Sequence, residues 1–245
     1  MSDEGRSVLV TGGTRGIGRA IARRFARDGA KRMVLGYMRN DAAAEEAAEE
    51  VRTAGAEPIL VRGNVASERV VGELAGHGPF DVLVHSAATG VIRAALETED
   101  KHWDWTLSAN ARAFLSLTRA VAPTMPSGAS IVAVSSLGST RVLENYVLVG
   151  TSKAALETLV RYLAVELAPQ GVRVNAVSAG VVETGALDHF PNKERMVRES
   201  LERTPVGRLA DPEDVAGAVA YLASPDAEMV RGHTLVVDGG FSLLA

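Results

Sequence analysis

The chain has 245 residues, of which 47% are hydrophobic and 23% charged, and its formal net charge is −4. This composition is typical of a globular protein with one sizeable core. Acidic and basic residues are interleaved, so no basic face indicates a nucleic-acid partner. The chain has no cysteine, which excludes disulfides and thiolate chemistry, and we expect no metal site.

The apolar residues are distributed in short runs. None of these runs approaches the roughly 18 residues that a membrane-spanning helix requires. The first residues, 1–6, lack the apolar stretch of a signal peptide. We therefore expect a cytoplasmic protein without a membrane partner.

Short β-rich runs alternate with longer segments of helical period. The predicted strands are Ser7 to Thr11, Arg32 to Gly36, Pro58 to Arg62, Asp81 to Ser86, Ser130 to Ser135, Arg173 to Val177 and Thr234 to Asp238. The predicted helices are Gly16 to Asp28, Asp41 to Ala54, Ser67 to Ala75, Lys101 to Val121, Val147 to Ala168 and Asp211 to Ala223. This alternation predicts a single α/β domain over residues 1–245, with a doubly wound, parallel, seven-stranded sheet and helices on both faces.

The segment from Thr184 to Pro205 breaks the alternation. It carries Leu187, Phe190 and Met196 among charged residues. An amphipathic insertion of this kind predicts a lid over the substrate.

A glycine-rich loop follows the first strand and opens the first helix. Its candidate cofactor contacts are Gly12, Thr14, Arg15, Gly16, Ile17 and Gly18. Glycines let the backbone turn tightly and approach a pyrophosphate, and the helix N-terminus supplies free N–H groups. The position between a strand and a helix favours a dinucleotide site over an ordinary turn.

The residues after the second strand bear on the choice of dinucleotide. NAD-binding folds usually place an acidic residue there to hold the ribose 2′-hydroxyl, whereas this chain has Arg39. Arg15 and Arg39 would stabilise a 2′-phosphate, so NADPH is predicted. Two alternatives stay open: Arg39 is only a solvated loop residue, or Asp41 binds the ribose of NADH.

Further motifs accompany the glycine loop along the chain. They are Asn64-Val65 after the third strand, Asn110 in the fourth helix, Ser135-Ser136 ending the fifth strand, Lys153, and the late segments 175–180 and 237–240. Together they resemble the short-chain dehydrogenase/reductase family over essentially the whole chain. The resemblance implies a Rossmann-type sheet, a Ser–Tyr–Lys active site and a homotetramer.

The same resemblance implies further cofactor contacts at the ends of the later strands. These are Asn64, Val65, Ser86, Ala87, Ala88, Tyr146, Lys153, Gly180, Val182 and Thr184. The chain departs from the family at His85-Ser86-Ala87-Ala88, where Asn-Asn-Ala-Gly is usual. For His85 a packing role is favoured over a catalytic one.

The spacing of tyrosine and lysine carries the most information. Ketone reductases of the family usually have Tyr-x-x-x-Lys, but Val149 stands four residues before Lys153, and Tyr146 stands seven before it. Four and seven residues both return to the same face of a helix, so Tyr146 is expected to point toward Lys153. The Tyr-x6-Lys pattern and its surroundings resemble the enoyl-acyl-carrier-protein reductases of the same superfamily, in particular their NADPH-dependent, ketoreductase-like type.

This resemblance implies reduction of the 2,3 double bond of an enoyl thioester of acyl carrier protein or CoA, in fatty acid or polyketide biosynthesis. Tyr146 would donate a hydrogen bond to the enolate, and Lys153 would hold the cofactor and support the tyrosine. Ser136 would orient the carbonyl, and Asn110 would support a water chain toward the lysine. The alternatives are a 3-oxoacyl-ACP or other short-chain ketone reductase and a non-catalytic dinucleotide-binding protein.

Overall fold

The sheet occupies the centre of the molecule, for which the computed structural model describes residues 5–190 and 192–244. Its strands are Ser7–Thr11 (β1), Arg32–Tyr37 (β2), Glu57–Arg62 (β3), Val82–His85 (β4), Ser130–Ser136 (β5), Arg173–Ala179 (β6) and Thr234–Val237 (β7). They pair in the order β3-β2-β1-β4-β5-β6-β7, and every pair is parallel. The predicted seven-stranded, doubly wound sheet is confirmed, with strand ends within two residues of those expected.

The α-helices lie between the strands. They are Gly16–Arg27 (α1), Asp41–Thr53 (α2), Glu68–Ala75 (α3), Asp100–Leu107 (α4), Ala113–Val121 (α5), Val147–Glu166 (α6), Lys193–Arg203 (α7) and Pro212–Leu222 (α8). The capping expected of Asp211 is confirmed, because its side chain accepts a hydrogen bond from the Asp214 N–H at 3.0 Å.

Two helical features differ from the expectation. The single helix predicted from Lys101 to Val121 is divided, because a π-helical turn at Ser108–Arg112 separates α4 from α5. Such turns insert one residue into an α-helix, a change that hydrophobic periodicity does not reveal. Helix α7 lies inside the segment predicted only as a lid, and Pro191 of that segment is outside the described residues.

Alternate residues of the strands face two separate cores. Val8 and Val10 of β1 pack on the side covered by α1, α2 and α8, whereas Leu9 packs on the side covered by α3, α5 and α6. Because side chains of a strand point alternately to the two faces, a sheet buried on both sides has near-continuous apolar strands. This explains why the strands are apolar runs without alternation.

The sheet reverses its winding at β1. The chain passes from β1 to β2 on one side and later returns as β4 on the other side. In such sheets the loops at the carboxyl ends of the diverging strands form a crevice that binds ligands. The loops after β1, β4 and β5 meet there.

Among residues 5–190 and 192–244, no helix is both long and apolar enough to cross a membrane.

Candidate active site

The loop after β1 is built by close approaches of the backbone. Gly12 has φ +67°, and a Cβ there would lie 3.0 Å from the backbone of Ala87. A Cβ on Gly18 would lie 2.0 Å from the Gly12 carbonyl oxygen. Glycine is therefore required at both positions, and the loop keeps its backbone open at the N-terminus of α1. A pyrophosphate fits such a cradle, since it needs backbone N–H groups and the positive end of a helix.

Other predicted contacts surround this cradle. A Cβ on Gly16, which has φ +50°, would lie 3.4 Å from Cγ2 of Thr184, so the start of the predicted lid segment borders the loop. Thr14 is buried, whereas Ile17 is only partly buried. Ser86 and Ala87 follow β4, and the Ala87 N–H donates to Thr11 Oγ1 at 3.3 Å.

Arg15 and Arg39 both lie exposed at the carboxyl edge of the sheet. Their loops start side by side, because Thr11 of β1 is in register with Gly36 of β2. Asp41, the alternative ribose ligand, is engaged by its neighbours: Tyr37 donates to its carboxylate at 2.9 Å, and Arg62 forms an ion pair with it at 3.1 Å. The edge thus presents guanidinium groups, while the nearby carboxylate is partly neutralised.

The remaining predicted cofactor residues lie along the same edge. Asn64, Val65 and Ala88 are in the loops after β3 and β4, and Gly180, Val182 and Thr184 follow β6. The Asn64 side chain accepts from the Ala66 N–H at 3.0 Å, and Val182 pairs with Ala210 in an isolated bridge. The structure therefore brings these residues to the crevice edge at which the sequence predicts the cofactor.

Tyr146 stands at the N-cap of α6, and its ring lies over Gly138. A Cβ on Gly138 would lie 2.5 Å from Cδ1 of Tyr146, so glycine is needed there. The Ser136 side chain lies close to the tyrosine hydroxyl. Burial raises the pKa of Tyr146 above its ordinary value, and the Ser136 contact opposes that rise. At neutral pH the side chain is therefore a phenol that can donate a hydrogen bond.

Lys153 lies buried one helical turn beyond Val149. Its Nζ donates to the carbonyl oxygen of Val134 at 2.7 Å. Burial lowers the pKa of Lys153 to about 8, and the Glu157 carboxylate acts in the opposite direction. The lysine thus carries a positive charge at neutral pH beside the end of β5.

Asn110 lies in the π-helical turn and is fully buried. Its side chain accepts from the Thr89 N–H at 2.9 Å and donates to the Thr89 carbonyl at 2.9 Å. It also donates to Ser152 Oγ at 2.8 Å. The amide therefore connects the π-helical turn to the loop after β4 and to α6. Its contact on α6 is Ser152, the residue that precedes Lys153.

His85 ends β4 with its ring fully buried, as a packing role requires. Nε2 lies 3.1 Å from the Asn110 carbonyl oxygen, and Nδ1 lies 3.0 Å from Thr11 Oγ1. A carbonyl only accepts, so we assign the proton to Nε2, and Nδ1 then accepts from Thr11. Burial, with the Lys153 charge, lowers the pKa of His85 to about 3, so the ring is neutral. No sequence pattern predicts these hydrogen bonds from the His85 ring to Thr11 and Asn110.

The described part of the predicted lid segment lies against Tyr146. The rings of Phe190 and Tyr146 stack with centroids 6.0 Å apart and an interplanar angle of 22°. Glu144 accepts from Asn192 Nδ2 at 2.9 Å and forms an ion pair with Arg195 of α7. These contacts bring the segment over the tyrosine.

The assembled groups define the chemistry available. A phenol, a serine hydroxyl and a buried ammonium lie beside a cradle suited to a dinucleotide. They can stabilise negative charge on a substrate oxygen and supply a proton. Within the described ranges no cluster of three or more histidine, aspartate or glutamate side chains is arranged to hold a metal ion.

Comparison with known proteins agrees with this geometry. The family profile described as enoyl-(acyl carrier protein) reductase matches residues 12–242. A 1-cyclohexenylcarbonyl-CoA reductase of Streptomyces collinus is 35% identical over 251 aligned positions, which cover 100% of this chain and 89% of the relative. The human dehydrogenase/reductase SDR family member 4 is 36% identical, with 95% of this chain and 86% of the relative covered.

A solved structure shows the same architecture with a nucleotide. A short-chain dehydrogenase from Burkholderia cenocepacia in complex with NADP superposes with a TM-score of 0.88 at 31% identity. The superposition covers 98% of this chain and 98% of that one.

Proposed function

The chain belongs to the short-chain dehydrogenase/reductase family, and from this premise we propose that it uses NADPH to reduce the 2,3 double bond of an enoyl thioester. Two facts together support this proposal. Tyr146 lies at the N-cap of α6, and Val149 occupies the position four residues before Lys153. The phenol thus enters the site about one turn away from the position usual in ketone reductases.

The residues present fit NADPH. The backbone cradle of the loop at 12–18 would hold the pyrophosphate, and Arg15 and Arg39 would pair with the 2′-phosphate. Lys153 would hold the nicotinamide ribose. The complex of the Burkholderia cenocepacia relative with NADP supports this choice. When bound, the reduced nicotinamide supplies a hydride to the β-carbon of the substrate.

The side chains of this protein act on the charge that results. Negative charge develops on the thioester oxygen as the β-carbon is reduced, and Tyr146 donates a hydrogen bond to that oxygen. Ser136, which contacts the tyrosine hydroxyl, orients the same oxygen. The Lys153 ammonium stabilises the accumulating negative charge. A proton taken up from solvent by the α-carbon then completes the saturated thioester.

The substrate class draws support from a relative. The Streptomyces collinus enzyme is named for a CoA thioester in which an alkene carbon is joined to the carbonyl. We propose the same class here, as thioesters of CoA or of acyl carrier protein in fatty acid or polyketide biosynthesis. We also propose that the protein assembles as a homotetramer, as the family resemblance implies, and that it acts in the cytoplasm.

A second candidate is reduction of a ketone, such as a 3-oxoacyl thioester. The contact of Ser136 with the Tyr146 hydroxyl favours it, since a serine and a tyrosine together can bind a carbonyl oxygen. The human relative, named only as a dehydrogenase/reductase, is compatible with either reaction.

Parallel assays separate the two candidates. Purified protein is given a 2-enoyl-CoA or a 3-oxoacyl-CoA of the same chain length, with NADPH or NADH. We expect the higher kcat/KM for the enoyl thioester with NADPH. Ready reduction of the 3-oxoacyl thioester without reduction of the enoyl thioester would overturn the proposal, and NADPH binding without turnover of either would indicate a non-catalytic protein.

A further inference from the structure

Glu157 is a buried carboxylate that the predicted site does not include. Only 6% of its surface is exposed, although glutamate is rarely buried unless it has a partner. It lies four residues after Lys153 on α6, and residues four apart share one face of a helix. The carboxylate and the ammonium are therefore neighbours inside the protein.

Strand β5 holds both groups through consecutive residues. Ser135 donates from Oγ to Oε1 of Glu157 at 2.5 Å, and the carbonyl oxygen of Val134 accepts from Lys153 Nζ at 2.7 Å. The next residue, Ser136, contacts the Tyr146 hydroxyl. The end of β5 thus joins the carboxylate, the ammonium and the phenol in one array.

The titratable groups that act on Lys153 lie on two elements. Glu157 faces it from α6 itself, and His85 faces it from β4. The histidine ring is neutral, so it contributes no counter-charge. Among the described residues no ion pair within 4.0 Å joins Lys153 to Glu157. The carboxylate therefore acts on the ammonium through its field in a poorly solvated interior, where the attraction is screened less than in water.

On the basis of the proposed function, we propose that Glu157 is a positioning residue whose buried carboxylate keeps Lys153 in its ammonium form at the working pH. Ser135 holds that carboxylate in place. Burying an ammonium without a counter-charge favours its neutral form, and a neutral amine cannot stabilise charge developing near Tyr146. Glu157 acts through the lysine and does not touch the substrate.

The test is Glu157→Gln, which keeps the shape and an acceptor for Ser135 but removes the charge. The titration of the Lys153 amine is followed by NMR on cofactor-free protein with ¹⁵N-labelled lysine. We expect its midpoint to fall from about 8 in the native protein by about one unit or more, because a close opposite charge shifts a pKa by that order. Glu166→Gln, which removes an exposed charge on the same helix, is the matched control and should leave the midpoint in place.

Kinetics supply a second measurement. If the lysine must be charged, the alkaline limb of the kcat profile should move to lower pH in Glu157→Gln by the same amount. Glu157→Asp, which retains the charge, should restore most of the native profile. A midpoint and a profile that both stay in place would overturn the proposal and leave Glu157 a purely structural role.

The outcome for Glu157 is distinguishable from that for the reaction. The titration uses neither cofactor nor substrate, so a shifted midpoint supports Glu157 even if enoyl thioesters are not reduced. Should the glutamine variant fail to fold, the double variant Glu157→Leu with Ser135→Ala removes the charge and its partner together, since buried polar pairs are often replaceable by apolar groups. The same shift is expected, and an unchanged midpoint would again overturn the proposal.

Discussion

Val149 packs directly on Gly90, and a Cβ on that glycine would lie 2.2 Å from Cγ2 of the valine. The position that ketone reductases give to tyrosine is thus occupied by the buried side chain of Val149, which packs against the backbone of Gly90. Gly90→Ala should destabilise the fold by about 1–3 kcal/mol, since overpacking forces neighbouring groups apart. Denaturant unfolding measures this, with Gly72→Ala, where a Cβ meets nothing within 4 Å, as the control. Equal stability of the two variants would contradict the contact.

Tyr146→Phe should lower kcat by about 10²–10³-fold, because a donor aimed at developing charge contributes mainly in the transition state. The dissociation constant for NADPH should change little. Stopped-flow turnover of an enoyl thioester and a fluorescence titration of NADPH measure the two quantities. Tyr162→Phe, on the exposed side of α6, is the matched control. An equal loss in the two variants would remove Tyr146 from the chemistry.

Arg15→Ala and Arg39→Ala should each reduce the preference for NADPH over NADH by about tenfold, as expected for the loss of a charge-assisted hydrogen bond. The ratio of kcat/KM for the two cofactors measures this effect. Arg119→Ala, exposed at the end of α5, is the control. A native enzyme equally efficient with both cofactors would refute the assignment, and Asp41 would then be tested as a ribose ligand.

We expect the described residues of 184–205 to close over the bound substrate as a lid. Hydrogen exchange in α7 should slow when NADPH and an unreactive thioester analogue bind, because closure protects backbone amides. Glu144→Ala, which removes the partner of Asn192 and Arg195, should speed exchange in α7. Glu166→Ala is the control. Exchange that does not respond to the ligands would count against a lid.

The neutral, buried His85 should make the protein sensitive to acid. Its pKa is lowered to about 3 in the folded state, below the ordinary value of 6.5. The unfolded chain therefore binds the proton first, so stability present above pH 6.5 is lost as the pH falls toward 3. The loss should amount to a few kcal/mol. Urea unfolding across this range should show that the free energy of unfolding depends less steeply on pH in His85→Asn than in the native protein. His233→Asn, at an exposed position, is the control. Identical pH slopes for His85→Asn and the native protein would contradict this role of His85.

The fold was predictable because its determinants are local. Apolar runs such as Val8 to Val10 specify strands, and the glycines at 12 and 18 mark a turn that no side chain could occupy. The spacing of Tyr146 and Lys153 likewise predicts which phenol enters the site. Each of these signals lies within a few residues along the chain, where strand and helix geometry decide the conformation.

The tertiary structure alone decided the contacts between distant segments. Three such contacts join residues 21 to 44 positions apart. They are the hydrogen bond of Asn110 with Thr89, the stacking of Phe190 on Tyr146 and the hydrogen bond of Ser135 with the buried Glu157. Periodicity treats Glu157 as one more charge on a helix, and only the packing of α6 on β5 places it beside Lys153. The sequence by itself thus determined the elements and the candidate groups. Their charge states depend on desolvation and neighbours that exist only once the chain has folded.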